Sequence, residues 1–205
     1  LQPGNLLRTW ARIVRNPMFQ AYSLLTCFSY AGLFTQLAAS SFTYLNVLGM
    51  SRTHYGLMMG CNALCYIAGT FACRRLLRRM SVQHTVAIAG LLSLTAGTLL
   101  GLASLSGLRS IWAYALPFGL YQIAHGIHMP CSQSNAVAPF PQAAGTASAV
   151  NGFVMMLIAF ATGHWLGQSL NASSTAPMAL GIWFWSACTA LTAWTLVQRF
   201  GAIKH

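Results

Sequence analysis

The sequence predicts an all-helical protein that crosses a membrane six times, and three observations lead there. The 205 residues are 56% hydrophobic and only 5% charged, whereas a soluble domain carries about a quarter charged residues. All eleven charges are Lys or Arg, with no Asp or Glu, so a water-soluble fold could hardly cover its surface. The apolar residues also run in long uninterrupted stretches, and residues 110–198 contain no Lys, Arg, Asp or Glu at all. Lipid is the solvent such a chain suits.

A membrane-crossing helix needs about 20 mostly apolar residues. The uncharged segment between Arg15 and Arg52 holds the first span, at residues 18–47. The second covers 52–74, with Ser51 placed to cap its first turn. Ser81 precedes the third, 82–105, and the Ser106-Gly107 turn follows it. The fourth covers 111–138 and passes through Pro130, because a membrane helix tolerates proline as a kink. Pro139-Phe140-Pro141 reads as a short loop. The fifth is 143–170, followed by the polar turn Asn171-Ala-Ser-Ser-Thr. Pro177 suits the first turn of the sixth, 177–198. Residues 1–17 form a cytoplasmic linker, and 200–205 a cytoplasmic tail. Within the linker, Arg8, Arg12 and Arg15 share one helical face while Leu7, Trp10 and Val14 lie away from it. That pattern fits a helix lying in the membrane interface, or a plain charged linker.

Charge sets the direction of threading. Arg8, Arg12, Arg15, Arg74, Arg75, Arg78, Arg79, Arg199 and Lys204 fall on one side of six spans. Only Arg52 and Arg109 fall on the other. The positive-inside rule places the nine, and both termini, in the cytoplasm. The basic clusters interrupt apolar runs and do not line a polar face, which argues against nucleic acid and for anionic lipid. Of six cysteines, Cys27, Cys61, Cys65, Cys73 and Cys188 lie in apolar runs and act as small hydrophobes. The opening at Leu1, without a start methionine or signal peptide, reads as the interior of a longer chain.

Small residues recur at four-residue spacing in Gly56/Gly60, Gly97/Gly101 and Gly163/Gly167. Gly145, Ser148 and Gly152 add a small face on the fifth span, and such faces let helices approach in lipid. Polar groups within spans are costly and therefore informative. Tyr121, His125 and His128 share a face of the fourth span, beside Gln122. Tyr30, Phe34 and Leu37 share one on the first, with Gln36 at its edge. Asn62 and Tyr66 are four apart on the second, and the fifth adds Asn151 and His164. Together they could line an aromatic, hydrogen-bonding cavity suited to bulky, weakly polar molecules; hydrogen bonding between helices is the other reading. With no carboxylate and no suitable cysteine spacing, His125 and His128 are not expected to hold a metal. A proton relay through them is conceivable, since histidine titrates near neutrality. Ser148 with a histidine could form a nucleophile–base pair, but Ala144-Gly-Thr-Ala-Ser-Ala149 lacks a G-x-S-x-G elbow, so no enzyme is expected.

Three stretches carry a resemblance. The first is Ala11-Arg-Ile-Val-Arg-Asn-Pro-Met-Phe19 with Tyr30-Ala-Gly-Leu-Phe34 and Ser41-Phe-Thr-Tyr-Leu45. The second is Tyr55-Gly-Leu-Met-Met-Gly-Cys-Asn-Ala-Leu64 with Ile67-Ala-Gly69 and the basic run from Arg74 to Arg79. The third is His125-Gly-Ile-His-Met-Pro-Cys-Ser-Gln133 with Ala138-Pro-Phe-Pro141 and Ala144-Gly-Thr-Ala-Ser-Ala149. In this order they resemble the C-terminal half of the major facilitator superfamily, and within it the bicyclomycin/chloramphenicol-resistance (Bcr/CflA) drug:proton antiporters.

The resemblance implies six of twelve helices, built as two inverted three-helix repeats, and a cavity shared with an N-terminal six-helix half. Spans one and four become equivalent elements, faintly echoed in Gly32-Leu-Phe34 and Gly119-Leu-Tyr121. It further implies efflux of small drug-like molecules across a bacterial inner membrane by alternating access, with the proton as coupling ion and no other cofactor. Substrate contacts would come from Tyr30, Phe34, Gln36, Asn62, Tyr66, Tyr121, Gln122 and His125. Arg74, Arg75, Arg78 and Arg79 would occupy the cytoplasmic loop motif. The chain departs from the pattern in lacking any membrane carboxylate for proton coupling. Two other classes stay open: a truncated membrane protein that does not transport, and an intramembrane hydrolase using Ser148.

Overall fold

A computed structural model describes residues 3–170 and 174–202, with side chains from Arg8 onward. Asn171, Ala172 and Ser173 of the expected polar turn, together with Lys204, lie outside the described residues. The main elements are α1 (Pro3–Val14), α2 (Pro17–Ser41), α3 (Arg52–Leu77), α4 (Val82–Leu105), α5 (Trp112–Val137), α6 (Ala144–Ser169), α7 (Ala176–Trp194) and α8 (Leu196–Phe200). No strand occurs among the described residues.

Local chemistry sets where the helices begin. The Asn16 side chain accepts from the Phe19 N–H at 3.0 Å, and Pro17 occupies the first turn of α2. Ser51 and Ser81 cap α3 and α4 in the same way, each accepting from the backbone N–H of a histidine three residues on. The side-chain oxygen satisfies an N–H that the helix leaves without a partner. Gly107, at φ 69°, turns the chain after α4, a conformation glycine adopts without steric cost.

Two segments depart from the expected helices. The first span does not run as one α-helix to Val47: α2 ends at Ser41, and Phe42–Val47 continues as a π-helix. The sixth breaks at Thr195 (φ −114°, ψ −75°) and resumes as α8. Thr189, Thr192 and Thr195 each turn their hydroxyl onto the carbonyl four residues back, at 2.7, 2.8 and 2.6 Å. Such back-bonding competes with the helix ladder and bends it.

The six long helices form one bundle. α2 and α5 pack against each other through its middle, α4 packs on α7, α3 mainly on α5, and α6 mainly on α2. Exchanging α2–α3–α4 for α5–α6–α7 leaves the set of major packing pairs unchanged: α2·α6 maps onto α5·α3, α2·α7 onto α5·α4, and α2·α5 and α4·α7 onto themselves. That is the internal symmetry of a repeated three-helix unit. Length and hydropathy alone identify four membrane-crossing helices, the ones at Arg52–Leu77, Val82–Leu105, Pro141–Ser169 and Ala176–Phe200. The two that fall outside that set, α2 and α5, carry half of the buried polar side chains among the described residues, including Ser29, Gln36, Gln122, His125 and His128. Their polarity faces the interior, so it lowers mean hydropathy without meeting lipid.

Backbone approach holds α3 to α5. A Cβ on Gly69 would strike the Ile123 carbonyl, and one on Gly126 would strike the Tyr66 carbonyl. Further along, the Cys73 and Cys131 sulfurs meet at 3.4 Å, both buried. Because Cys65 faces Gly119, Gly69 faces Ile123 and Cys73 faces Cys131, the two helices run parallel. Small residues there let dispersion contacts form along the whole seam. The expected glycine pairs behave differently. Gly97 lies against Ser186 and Trp183 and Gly163 against Phe34, but Gly56, Gly60, Gly145, Gly152 and Gly167 have nothing within 4 Å of a Cβ position. All five are on α3 and α6. Only 22% of the apolar stretch of each of these helices is buried, against 50% for α4 and 44% for α7.

Candidate functional site: an aromatic and amide face on the central helices

The seam between α2 and α5 is built on Ser29. Its carbonyl accepts a 2.6 Å hydrogen bond from the Tyr121 hydroxyl, and its own hydroxyl lies 2.8 Å from His125 Nδ1. Gly32 makes this possible, because a Cβ there would collide with the Tyr121 hydroxyl. One turn apart on α5, Phe118, Tyr121 and His125 form a ladder of stacked rings, with centroids 5.6 Å and 6.3 Å apart and planes within 15° and 11°. Tyr66 of α3 adds a fourth ring, 5.7 Å from His125. Stacked and tilted rings at these separations attract one another beyond simple burial.

The proposed contact residues divide into three groups. Tyr121 and His125 come together with Tyr66; Tyr121 and His125 are buried and braced, whereas Tyr66 is half-buried. Gln122 is buried with its Oε1 unpaired. Tyr30 and Phe34 are half-buried neighbours at 6.4 Å on α2, with Phe34 reaching Gly163 of α6. Gln36 and Asn62 stand apart. Gln36 is completely buried with its amide directed at the Tyr44 hydroxyl, though neither end reaches good hydrogen-bond geometry. Asn62 instead lines a groove on the flank of α3 and α5. Arg74, Arg75, Arg78 and Arg79 are exposed at the end of α3, where positive charge favours the helix dipole.

Other candidates are placed as follows. His128 is fully buried against the Val86 backbone, with neither ring nitrogen in good hydrogen-bond geometry. His164 meets Gln168 one turn on at 3.1 Å. Ser148 is exposed on α6. No group of three or more His or Cys positioned to hold a metal occurs among the described residues. Sequence reasoning missed Ser29, whose role depends on two partners more than 90 residues away. It also missed the polar cluster where the helices begin, in which Tyr114 donates to the Leu108 carbonyl at 2.9 Å and lies 2.8 Å from Thr175 Oγ1. Ser40 and Tyr55 close the same end at 2.8 Å.

Comparison with known proteins agrees with this architecture. Residues 2–164 match the family model of the Major Facilitator Superfamily. Among curated relatives, an uncharacterized MFS-type transporter of Bacillus subtilis is 23% identical over 85% of this chain and 43% of its own length. The bicyclomycin resistance protein homolog of Haemophilus influenzae is 27% identical over 77% of the chain and 39% of its length. Multidrug resistance protein D of Escherichia coli is 26% identical over 72% and 37%. The chain thus spans about two fifths of the length of the curated relatives it matches. With its membrane-crossing helices, its two-fold repeat of three helices and this family match, the chain belongs to the Major Facilitator Superfamily.

Proposed function

We propose that this chain is the C-terminal six-helix portion of an exporter of drug-like molecules, working by alternating access with a second six-helix unit. The observations that carry the proposal are the half-buried aromatic pair Tyr30 and Phe34 on α2, half-buried Tyr66 beside His125, and the buried, unpaired Gln122 amide on α5. Rings and one unpaired amide suit a weakly polar molecule, and the absence of any Asp or Glu leaves no fixed negative charge to hold a cation. Tyr121, His125 and Ser29 position Tyr66 and Gln122 from behind. The partner unit docks on α3 and α6, whose unfilled glycines and low burial leave room for close helix approach. Nine of the eleven basic residues, Arg74 to Arg79 included, face the cytoplasm of a bacterial inner membrane. Coupling to protons runs through a carboxylate outside this chain.

Gln122→Ala in the complete transporter tests the site directly, because Gln122 makes no hydrogen bond that the bundle would lose. Resistance in cells should fall severalfold at equal expression, and His125→Ala should lower it through Tyr66. Undiminished resistance in the Gln122 variant takes this face out of the substrate path.

A further inference from the structure

A groove of about 910 Å³ runs along the flank of α3 and α5. Neither Tyr66 nor Gln122 lines it: on α3 it is bordered by His54, Leu57, Met58, Cys61, Asn62 and Cys65. The α5 wall is formed by Trp112, Leu116, Gly119 and Ile123. Leu57, Trp112 and Leu116 are 64%, 69% and 66% exposed, so the groove opens outward from the bundle.

One residue in this wall is out of place. Asn62 is only 5% exposed, its Nδ2 has no partner, and its side chain makes no hydrogen bond within the protein. A buried amide without partners is costly, and more so where water cannot reach it. No Lys, Arg, Asp or Glu lines the groove, and the one ionisable side chain besides the cysteines, His54, is engaged by Ser51 at 2.8 Å. A charged molecule would find no counter-charge there. The methionine and cysteine sulfurs of Met50, Met58, Cys61 and Cys65 make a wall that adapts to varied shapes.

We propose that this groove is a binding site, entered sideways from the bilayer, for an uncharged and largely apolar molecule whose single carbonyl or hydroxyl group meets the Asn62 amide. The volume lies within the range of small-molecule sites. The inference does not rest on the transport reading, since its test measures occupancy and not export.

The test uses the protein in phosphatidylcholine vesicles with the photoreactive neutral alcohol 3-azioctanol, mapping adducts by mass spectrometry. Saturable adducts on Met58, Cys61 and Ile123, competed by n-octanol, are expected. Asn62→Leu should raise the half-saturating concentration roughly fivefold, the equivalent of one hydrogen bond. Cys61→Trp, at an exposed position, fills the groove without touching the α3–α5 seam and should abolish saturable labelling of Met58 and Ile123. Labelling that rises linearly and equally at Leu91 and Phe160 overturns the proposal, as does an unchanged half-saturation in Asn62→Leu or persistent saturable labelling in Cys61→Trp.

Discussion

Ser29 satisfies two α5 side chains at once, its carbonyl taking the Tyr121 hydroxyl and its hydroxyl meeting His125. Tyr121→Phe removes one hydrogen bond and should cost about 1 kcal/mol. Ser29→Ala leaves a buried histidine nitrogen unpaired and should cost more, about 1–3 kcal/mol. Gln36 is the opposite case: it is fully buried with both amide ends unbonded. Gln36→Leu, close in volume, should therefore raise stability by about 1 kcal/mol or more. Thermal unfolding of the three variants in detergent checks the order, and a destabilised Gln36→Leu would show that this amide has a partner in the folded protein. That Tyr121 and His125 share a face was legible from their spacing on one helix. That they meet Ser29, and that Gln36 has only the Tyr44 hydroxyl beside it, was not, because neither fact is a property of one helix.

Glycines separate the elements into two kinds. Gly69 and Gly126 lie where the α3 and α5 backbones touch, so any side chain there pushes the helices apart. Gly69→Leu should destabilise the bundle by at least about 2 kcal/mol, since forced overpacking of this sort costs 1–3 kcal/mol or more. Gly60→Leu and Gly152→Leu enter open space and should leave the isolated chain's stability within about 0.5 kcal/mol. In the complete transporter those two should instead lower export, if the second unit packs on α3 and α6. Transport at full level in both would remove these helices from that interface. Four-residue spacing drew attention to Gly56/Gly60 and Gly163/Gly167, but Gly69 and Gly126 have no such partner in the sequence. Spacing reports which residues share a face; it does not report which face meets a neighbour. The π-helix Phe42–Val47 and the break at Thr195 were equally hidden, because each depends on backbone groups finding alternative partners.

For the whole molecule, the threading we propose rests on arginine placement. Arg79→Cys should react with a membrane-impermeant maleimide only from the cytoplasmic side of cells, and Arg109→Cys only from the other. Both reacting from one side would overturn the topology.

What the sequence determined by itself is a helical membrane protein of this superfamily with a strong asymmetry of positive charge. Transfer of a side chain into lipid depends on that side chain and not on its neighbours, so composition and run length suffice. Tertiary structure alone decided which polar groups are paired, which glycines touch, and that Asn62 opens onto a groove that Tyr66 does not line. Successive residues on a helix turn by about 100°, so only the rotation and neighbours of each helix settle what a given side chain meets.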